Sequence, residues 1–268
     1  MGATLGYSSY LSKRDLNAMK IKLLILSILF IFIMLFVTLP VEGVIGFLPN
    51  NSGIKIATAK GKLWRGEASQ VSYQHKFKLQ KVSWDLDWSA LARLQLKLSV
   101  KFTNGVNALH GEGFAILSWS GLSVEDLTVE ASVPELTSYF YLPRDVQVQG
   151  QISAVIKEAS PGAPYCQKME GYIDWHKAVI ESTLGIVRLG APHTNLQCES
   201  GNVVANIKQT SNDLTSEVNV VLEENKIYRV KGTLKPGATL APEFNQLLRW
   251  LGPKNAVGEK SLNFSGRL

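Results

Sequence analysis

Charge is scarce in this chain, and so are the residues that usually carry catalysis. Asp, Glu, Lys and Arg together make up 19% of its 268 residues, with four histidines and two cysteines. The first 22 residues hold Lys13, Arg14, Lys20 and Lys22 against Asp15, half of the formal net charge of +6. What remains is too weak and dispersed for a nucleic-acid face, which gathers Lys and Arg with interleaved aromatics, so no nucleic-acid partner is expected. Also missing are a G-x-S-x-G elbow, a Walker loop and a dinucleotide glycine fingerprint, the marks of acyl hydrolases and nucleotide-handling enzymes. His75, His110, His176 and His193 stand singly, with no recognisable acid or cysteine partner spacing. Asp85-Leu86-Asp87 superficially matches a metal-binding pair, but Trp84 and Leu86 supply the buried face of a strand there and leave both aspartates to water. The cysteines do not form a C-x-x-C unit, and His176 and His193 lack ligand spacing. No catalytic residue, metal or cofactor is assigned, and an enzyme is not expected.

What the chain does have is one uncharged apolar run, Leu23 to Val41. About 19 helical residues at 1.5 Å each cover roughly 28 Å, the thickness of a bilayer's hydrocarbon core. The close positive charges precede the run, Glu42 follows it, and the next lysine is Lys55. The positive-inside rule then puts the N-terminus in the cytoplasm and the bulk of the chain across the membrane. A cleaved signal peptide would have a shorter apolar stretch and a small-x-small site, and Thr38-Leu39-Pro40-Val41-Glu42-Gly43 offers none. A buried core helix is the other alternative. The expected organisation is a short cytoplasmic tail over residues 1–22, a transmembrane anchor over 23–41 and an exported domain over 42–268. Residues 1–18 are polar and patternless, and Met19-Lys20-Ile21-Lys22 would itself make an ordinary start.

Cys166 and Cys198 both fall on the translocated side, where an oxidising compartment favours a disulfide. In the chain-entropy model a loop of that size gains about 3.7 kcal/mol at most. Two buried free thiols are the alternative.

Period-two alternation recurs through the exported part. Leu94, Leu96, Leu98, Val100 and Phe102 interleave with polar residues, as do Val146, Val148, Ile152, Ala154 and Ile156, and Leu214, Ser216, Val218, Val220 and Leu222. Phe77, Leu79, Val82, Trp84 and Leu86 follow the same pattern with a parity slip that a β-bulge would restore. Asn104-Gly105, Ser120-Gly121, Ser160-Pro161-Gly162, Ser200-Gly201-Asn202 and Pro236-Gly237 separate the runs as turns. One helix is predicted from Pro242 to Gly252-Pro253, and a shorter one from Ser132, with Glu135 closing a capping box and Leu136, Tyr139 and Phe140 buried. The fold expected is mainly β: an antiparallel domain, sandwich or one long curved sheet, with one or two short helices. Residues 158–165 are the most linker-like stretch and would divide two halves of similar size. Gly61-x-x-Trp64 and Gly171-x-x-x-Trp175 hint that the halves are similar. Large rings at such positions serve as core or interface anchors, so Trp64, Trp88 and Trp175, with Arg65, are the candidate interaction residues.

Gly61-Lys62-Leu63-Trp64-Arg65-Gly66-Glu67-Ala68, just beyond an anchor, resembles the G-x-h-W-x-G-x-A opening of the type II secretion system protein N family. Val82-Ser83-Trp84-Asp85-Leu86 and Leu91-Ala92-Arg93-Leu94 resemble its next block. Cys166, Gly171, Trp175, Ala178, Cys198 and Gly201 are similar to its paired-cysteine segment, and Leu251-Gly252 with Gly266-Arg267-Leu268 to its C-terminal end. The resemblance implies an inner-membrane, single-pass protein of a Gram-negative bacterium with a periplasmic domain. It would be a non-catalytic part of the machinery that exports folded proteins, with other components of the inner-membrane platform and membrane lipid as partners. A more distant likeness to AsmA-like proteins implies the alternative, a membrane-anchored lipid-binding or lipid-transfer module. The extension before Met19 departs from the family pattern.

Overall fold

The computed structural model describes residues 13–45, 53–73, 77–105, 108–137 and 142–267. Helix α1, Lys13–Thr38, comes first, followed by a short α2, Val41–Ile45. The strands are β1 (Ile54–Lys62), β2 (Arg65–Tyr73), β3 (Phe77–Asp87), β4 (Leu96–Thr103), β5 (His110–Ser118), β6 (Gly121–Ser132) and β7 (Gln147–Pro161). They continue with β8 (Cys166–Ser182), β9 (Gly185–Gly190), β10 (His193–Glu199), β11 (Asn202–Thr210), β12 (Leu214–Glu223), β13 (Ile227–Pro236) and β14 (Lys260–Arg267). Helices α3 (Val133–Thr137) and α4 (Pro242–Leu247) sit in two of the connections.

All fourteen strands belong to one antiparallel sheet in chain order, β1 to β8 and then β10 to β14, with β9 beside β8. A mainly β, antiparallel chain with few helices is therefore what the sequence produces, as one sheet and not as a two-sheet sandwich. The exception in strand order has a local cause. β8 is 17 residues long; residues 170–174 pair with β10 and its last five residues with β9. Ala191 and Pro192 interrupt the partner, and the Trp175 N–H bridges the break to the Pro192 oxygen at 3.0 Å.

Cross-strand partners share a face, so the register shows what each face is made of. Val82, Trp84 and Leu86 lie on one face with Ala68, Gly66, Val100 and Leu98. That face continues through Leu127, Val129 and Ala131 against Ile156, Ala154 and Ile152, and then through Ile173 and Leu196. It ends with Ala205, Val220, Val230 and Phe264. The opposite face is laced by ion pairs between direct partners: Arg65–Asp85, Lys101–Glu112 and Lys208–Glu217, at 2.7, 2.7 and 2.9 Å.

No second layer covers the apolar face among the described residues, and most of its side chains are half-buried. The accessible surface is 18816 Å². A compact chain of this mass would expose about 11,500 Å². The protruding helix α1 contributes part of the excess and the single-layered sheet the rest. Consistently, no large side chain among those described is fully buried.

Several local expectations need revision. The Leu94–Phe102 alternation is a strand from Leu96 onward. Asp87 instead caps a 3-10 helix, Trp88–Arg93, whose C-cap Leu94 takes a left-handed φ of 57°. Glu135 makes no capping box: its carboxylate reaches across the sheet end to the Leu109 N–H at 2.6 Å and the Asn104 amide at 3.1 Å. Tyr139 and Phe140 lie outside the described residues. The stretch 158–165 is not an open linker, because 158–161 complete β7 and pair with β8. No β-bulge shifts the register in β3: the Gln70–Gln80 and Ala68–Val82 pairs are in step, and Lys81, at a φ of 43°, drops out of the ladder between them. Pro242 opens α4 at its first turn, and a 3-10 turn, Leu248–Leu251, extends it.

The apolar run enters α1, where the side chains of Met19 to Leu35 are all exposed and, except for Lys20, Lys22 and Ser27, apolar. These 17 residues cover roughly 25 Å, and among the described residues no helix is long and apolar enough to cross a membrane. The end of the run belongs to the domain. Pro40 bridges to Lys62, the Leu63 N–H donates to the Leu39 oxygen at 3.1 Å, and Val41 is 4% exposed against Ala59 and Ala68.

Candidate functional site

The tryptophan-glycine segment is built around the β1–β2 turn. Gly61 takes a φ of 98°, and a Cβ there would meet the Arg65 oxygen at 2.8 Å. Gly66 is required for a different reason: the Trp84 ring lies on it, and a Cβ would come within 2.6 Å of Trp84 Cζ2. The Trp84 indole donates to the Leu63 oxygen at 2.9 Å, and the Leu86 N–H to the Trp64 oxygen at 2.7 Å. The motif thus locks β3 onto the first hairpin.

Three of the four candidate interaction residues come together here. The rings of Trp64 and Trp88 are 5.8 Å apart at 60°, and Trp88 is half exposed. Arg65 lies beside them on the polar face, its guanidinium held by Asp85 at 2.7 and 2.9 Å. That carboxylate raises the Arg65 pKa still further, by hydrogen bonding first and charge second. Asp87 accepts from the Ser89 N–H and hydroxyl, which hold its carboxyl below the usual range. Both aspartates of the D-x-D are thus engaged within the protein. Among the described residues no three Asp, Glu, His or Cys side chains converge as a metal site would require.

Trp175 lies elsewhere, on β8 opposite Ile152. Its indole donates to the Gln149 oxygen at 3.0 Å, and its ring edge lies over Gly150, where a Cβ would meet Nε1 at 2.6 Å. In bonding and in its glycine it is the counterpart of Trp84, not of Trp64. At the start of β8, Cys166 is joined to Cys198, with Cα atoms 6.1 Å apart. Pairing of β8 with β10 runs from Asp174 only as far as Glu170, so the disulfide ties the strands together beyond the ladder's end.

Two polar clusters escaped the sequence reading. His193 Nδ1 is 2.7 Å from Asp174, its direct partner across β10 and β8, and Nε2 is 3.2 Å from Asn195. The Asp174 hydrogen bond holds the imidazole's pKa above the usual histidine value. Asp213 is buried; desolvation pushes its pKa up, but hydrogen bonds from Thr239 and the Arg188 N–H and the Arg188 charge outweigh it, leaving the pKa lowered. Both pairings join residues far apart in sequence, and no local spacing marks them.

An antiparallel sheet that is polar on one face and apolar on the other, with a helix fixed to its first hairpin, defines a mainly β, single-sheet protein among the described residues. Comparison with known proteins narrows this class. The family described as "Type II secretion system (T2SS), protein N" matches residues 52–263, which span the sheet from β1 into β14, and the chain belongs to that family. The type II secretion system protein N of Vibrio cholerae serotype O1 is 30% identical over 233 residues, covering 87% of this chain and 92% of that protein. The Aeromonas hydrophila protein of the same name is 28% identical over 87% of this chain and 93% of its own length. That of Pectobacterium carotovorum is 27% identical over 82% and 87%. No solved structure matches.

Proposed function

We propose that this protein is an inner-membrane-anchored, non-catalytic component of the type II secretion machinery, supporting assembly or operation of export across the outer membrane. The observation that carries this reading is the family match over nearly the whole sheet, residues 52–263. In this reading Leu23 to Val41 supplies the anchor, the N-terminus is cytoplasmic, and the sheet stands in the periplasm beside the inner-membrane platform. β14 pairs with β13 on one side and with no strand on the other among the described residues. It offers backbone donors and acceptors to a partner strand. The Trp64, Arg65 and Trp88 cluster offers a second contact, and Trp175 a third. Deleting the gene and following a secreted protein tests the reading. Export should fall or the platform should lose stability, and normal export with an unchanged platform overturns it.

A second reading is favoured by the uncovered apolar face, which suits acyl chains of a membrane lipid and so a lipid-binding or lipid-transfer module. Native mass spectrometry of the full chain after gentle detergent extraction tests it. A bound lipid is the supporting outcome, and a lipid-free domain counts against it.

A further inference from the structure

One rim of the sheet carries the largest exposed apolar side chains outside α1. Trp119, at the tip of the β5–β6 hairpin, is 91% exposed, and Leu94, capping the 3-10 helix, is 72% exposed. Leu91, Leu96, Leu117 and Leu122 around them are all exposed. These residues form one patch through the register, since Leu96 pairs with Leu117 and Leu117 with Leu122. A monomeric sheet has no reason of stability to gather leucines and a tryptophan in water at its edge.

The same rim receives the end of α1. Thr38 closes the helix, Leu39 accepts from the Leu63 N–H, and Pro40 bridges to Lys62 at the β1–β2 turn. From that turn the chain of contacts runs unbroken: Trp64 to Trp88 at 5.8 Å, along the 3-10 helix to Leu94, and on to Leu96 and Leu117. Neighbouring strands are about 4.8 Å apart, so the turn and the β5–β6 tip are separated by about 19 Å along the rim. Lys62 and Arg93, both exposed, add positive charge there. Leucines, a tryptophan and basic side chains beside a helix exit make the composition that sits at the lipid–water interface.

We propose that Trp119, Leu94 and the leucines around them insert into the periplasmic leaflet of the same membrane that α1 anchors, so that the sheet stands on the bilayer at two points. This rests on the anchor reading given above. The occupant is a lipid surface, because the helix exit brings one to this rim and the side chains exposed there are leucines and a tryptophan. Since Leu96, Leu117 and Leu122 also belong to the apolar face, that face opens directly onto the leaflet.

The test uses the full chain in vesicles of phosphatidylethanolamine and phosphatidylglycerol. The native cysteines are consumed by their disulfide, so a nitroxide goes to a single introduced thiol. Ser120→Cys reports on the tip with Trp119 kept, Arg144→Cys on the opposite rim, and Ile28→Cys on α1. At position 120 collisions with oxygen should exceed those with a water-soluble nickel reagent several-fold more than at 144, and Trp119→Ser in the Ser120→Cys background should return the ratio toward that of 144. If position 28 is buried in lipid while 120 matches 144, the tip proposal is overturned and the anchor stands. If position 28 is itself aqueous, the anchor reading fails and the proposal with it. If position 120 is shielded from both reagents, protein covers the tip and the proposal is again overturned.

Discussion

Trp84 lies across Gly66 and donates its indole N–H to the Leu63 oxygen at 2.9 Å, so the third strand is keyed to the turn that follows the first. Trp175 repeats the arrangement with Gly150 and Gln149 in the middle of the sheet. In a sheet with no second layer among the described residues, a large ring clamped over a glycine replaces much of the packing that a sandwich core would provide.

Gly66→Ala should therefore destabilise the sheet by about 1–3 kcal/mol, the usual cost of overpacking. Gly150→Ala should cost more, because its φ of 121° adds backbone strain to the same kind of clash. Trp84→Phe keeps most of the ring and loses the indole bond, about 1 kcal/mol. Chemical denaturation of the three variants gives the order; a Trp84→Phe loss exceeding both glycine variants would refute the clamp.

Breaking the disulfide should cost about 2–4 kcal/mol. Cys166→Ser with Cys198→Ser removes the tie beyond the β8–β10 ladder, and hydrogen exchange should accelerate first near residues 166–170 and 197–203. In cells, a membrane-impermeant thiol reagent should label the wild-type cysteines only after reduction.

Asp213→Ala leaves the Arg188 N–H and the Thr239 hydroxyl without their buried acceptor. A loss of about 1–3 kcal/mol follows, read as a lower denaturation midpoint. The lowered carboxyl pKa fixes the sign with pH. Its contribution is present above the ordinary aspartate value and is lost as pH falls through the depressed one, so wild type and variant should converge in acid.

His193 acts in the opposite direction. Its raised pKa stabilises the fold fully below the ordinary histidine value, and the gain is lost as pH rises through the raised one. The pair is partly solvent-exposed, so the effect is about 0.2–1 kcal/mol. His193→Asn should flatten the stability profile across that window; an unchanged slope would sink the assignment.

Much of the sheet was legible in the chain because alternation reports a half-wet strand directly. The runs ending in Ile156 and Leu222 appear in the structure as strands, the first from Gln147, while the slip between Leu79 and Val82 leaves the register of β2 and β3 in step. Leu94 misled because it keeps the parity of Leu96, while the signal that ends the pattern is the short-range cap of Asp87 on Ser89. Pro161 and Gly162 suggested a linker, but they terminate a 15-residue strand. Of the candidate site, the Trp64 segment stood out through its glycines, and the pairing of Trp64 with Trp88 required the 3-10 helix to be known. Trp119 gave no warning, since a lone tryptophan beside a Ser-Gly turn reads equally well as core or as tip. His193 with Asp174 depends on the register of β10 against β8, which β9 displaces.

The order of the strands has a bearing on how such a protein comes to exist. With every neighbour but one adjacent in sequence, each new hairpin can be added to a finished edge, and loop closure stays short at every step. The first hairpin to be synthesised is the one stitched to Leu39 and Pro40, so assembly can start at the emerging helix and proceed outward while the C-terminal half is still being made. Such a sheet would mature strand by strand, with β14, the last to arrive, leaving the growing edge open for another chain to continue.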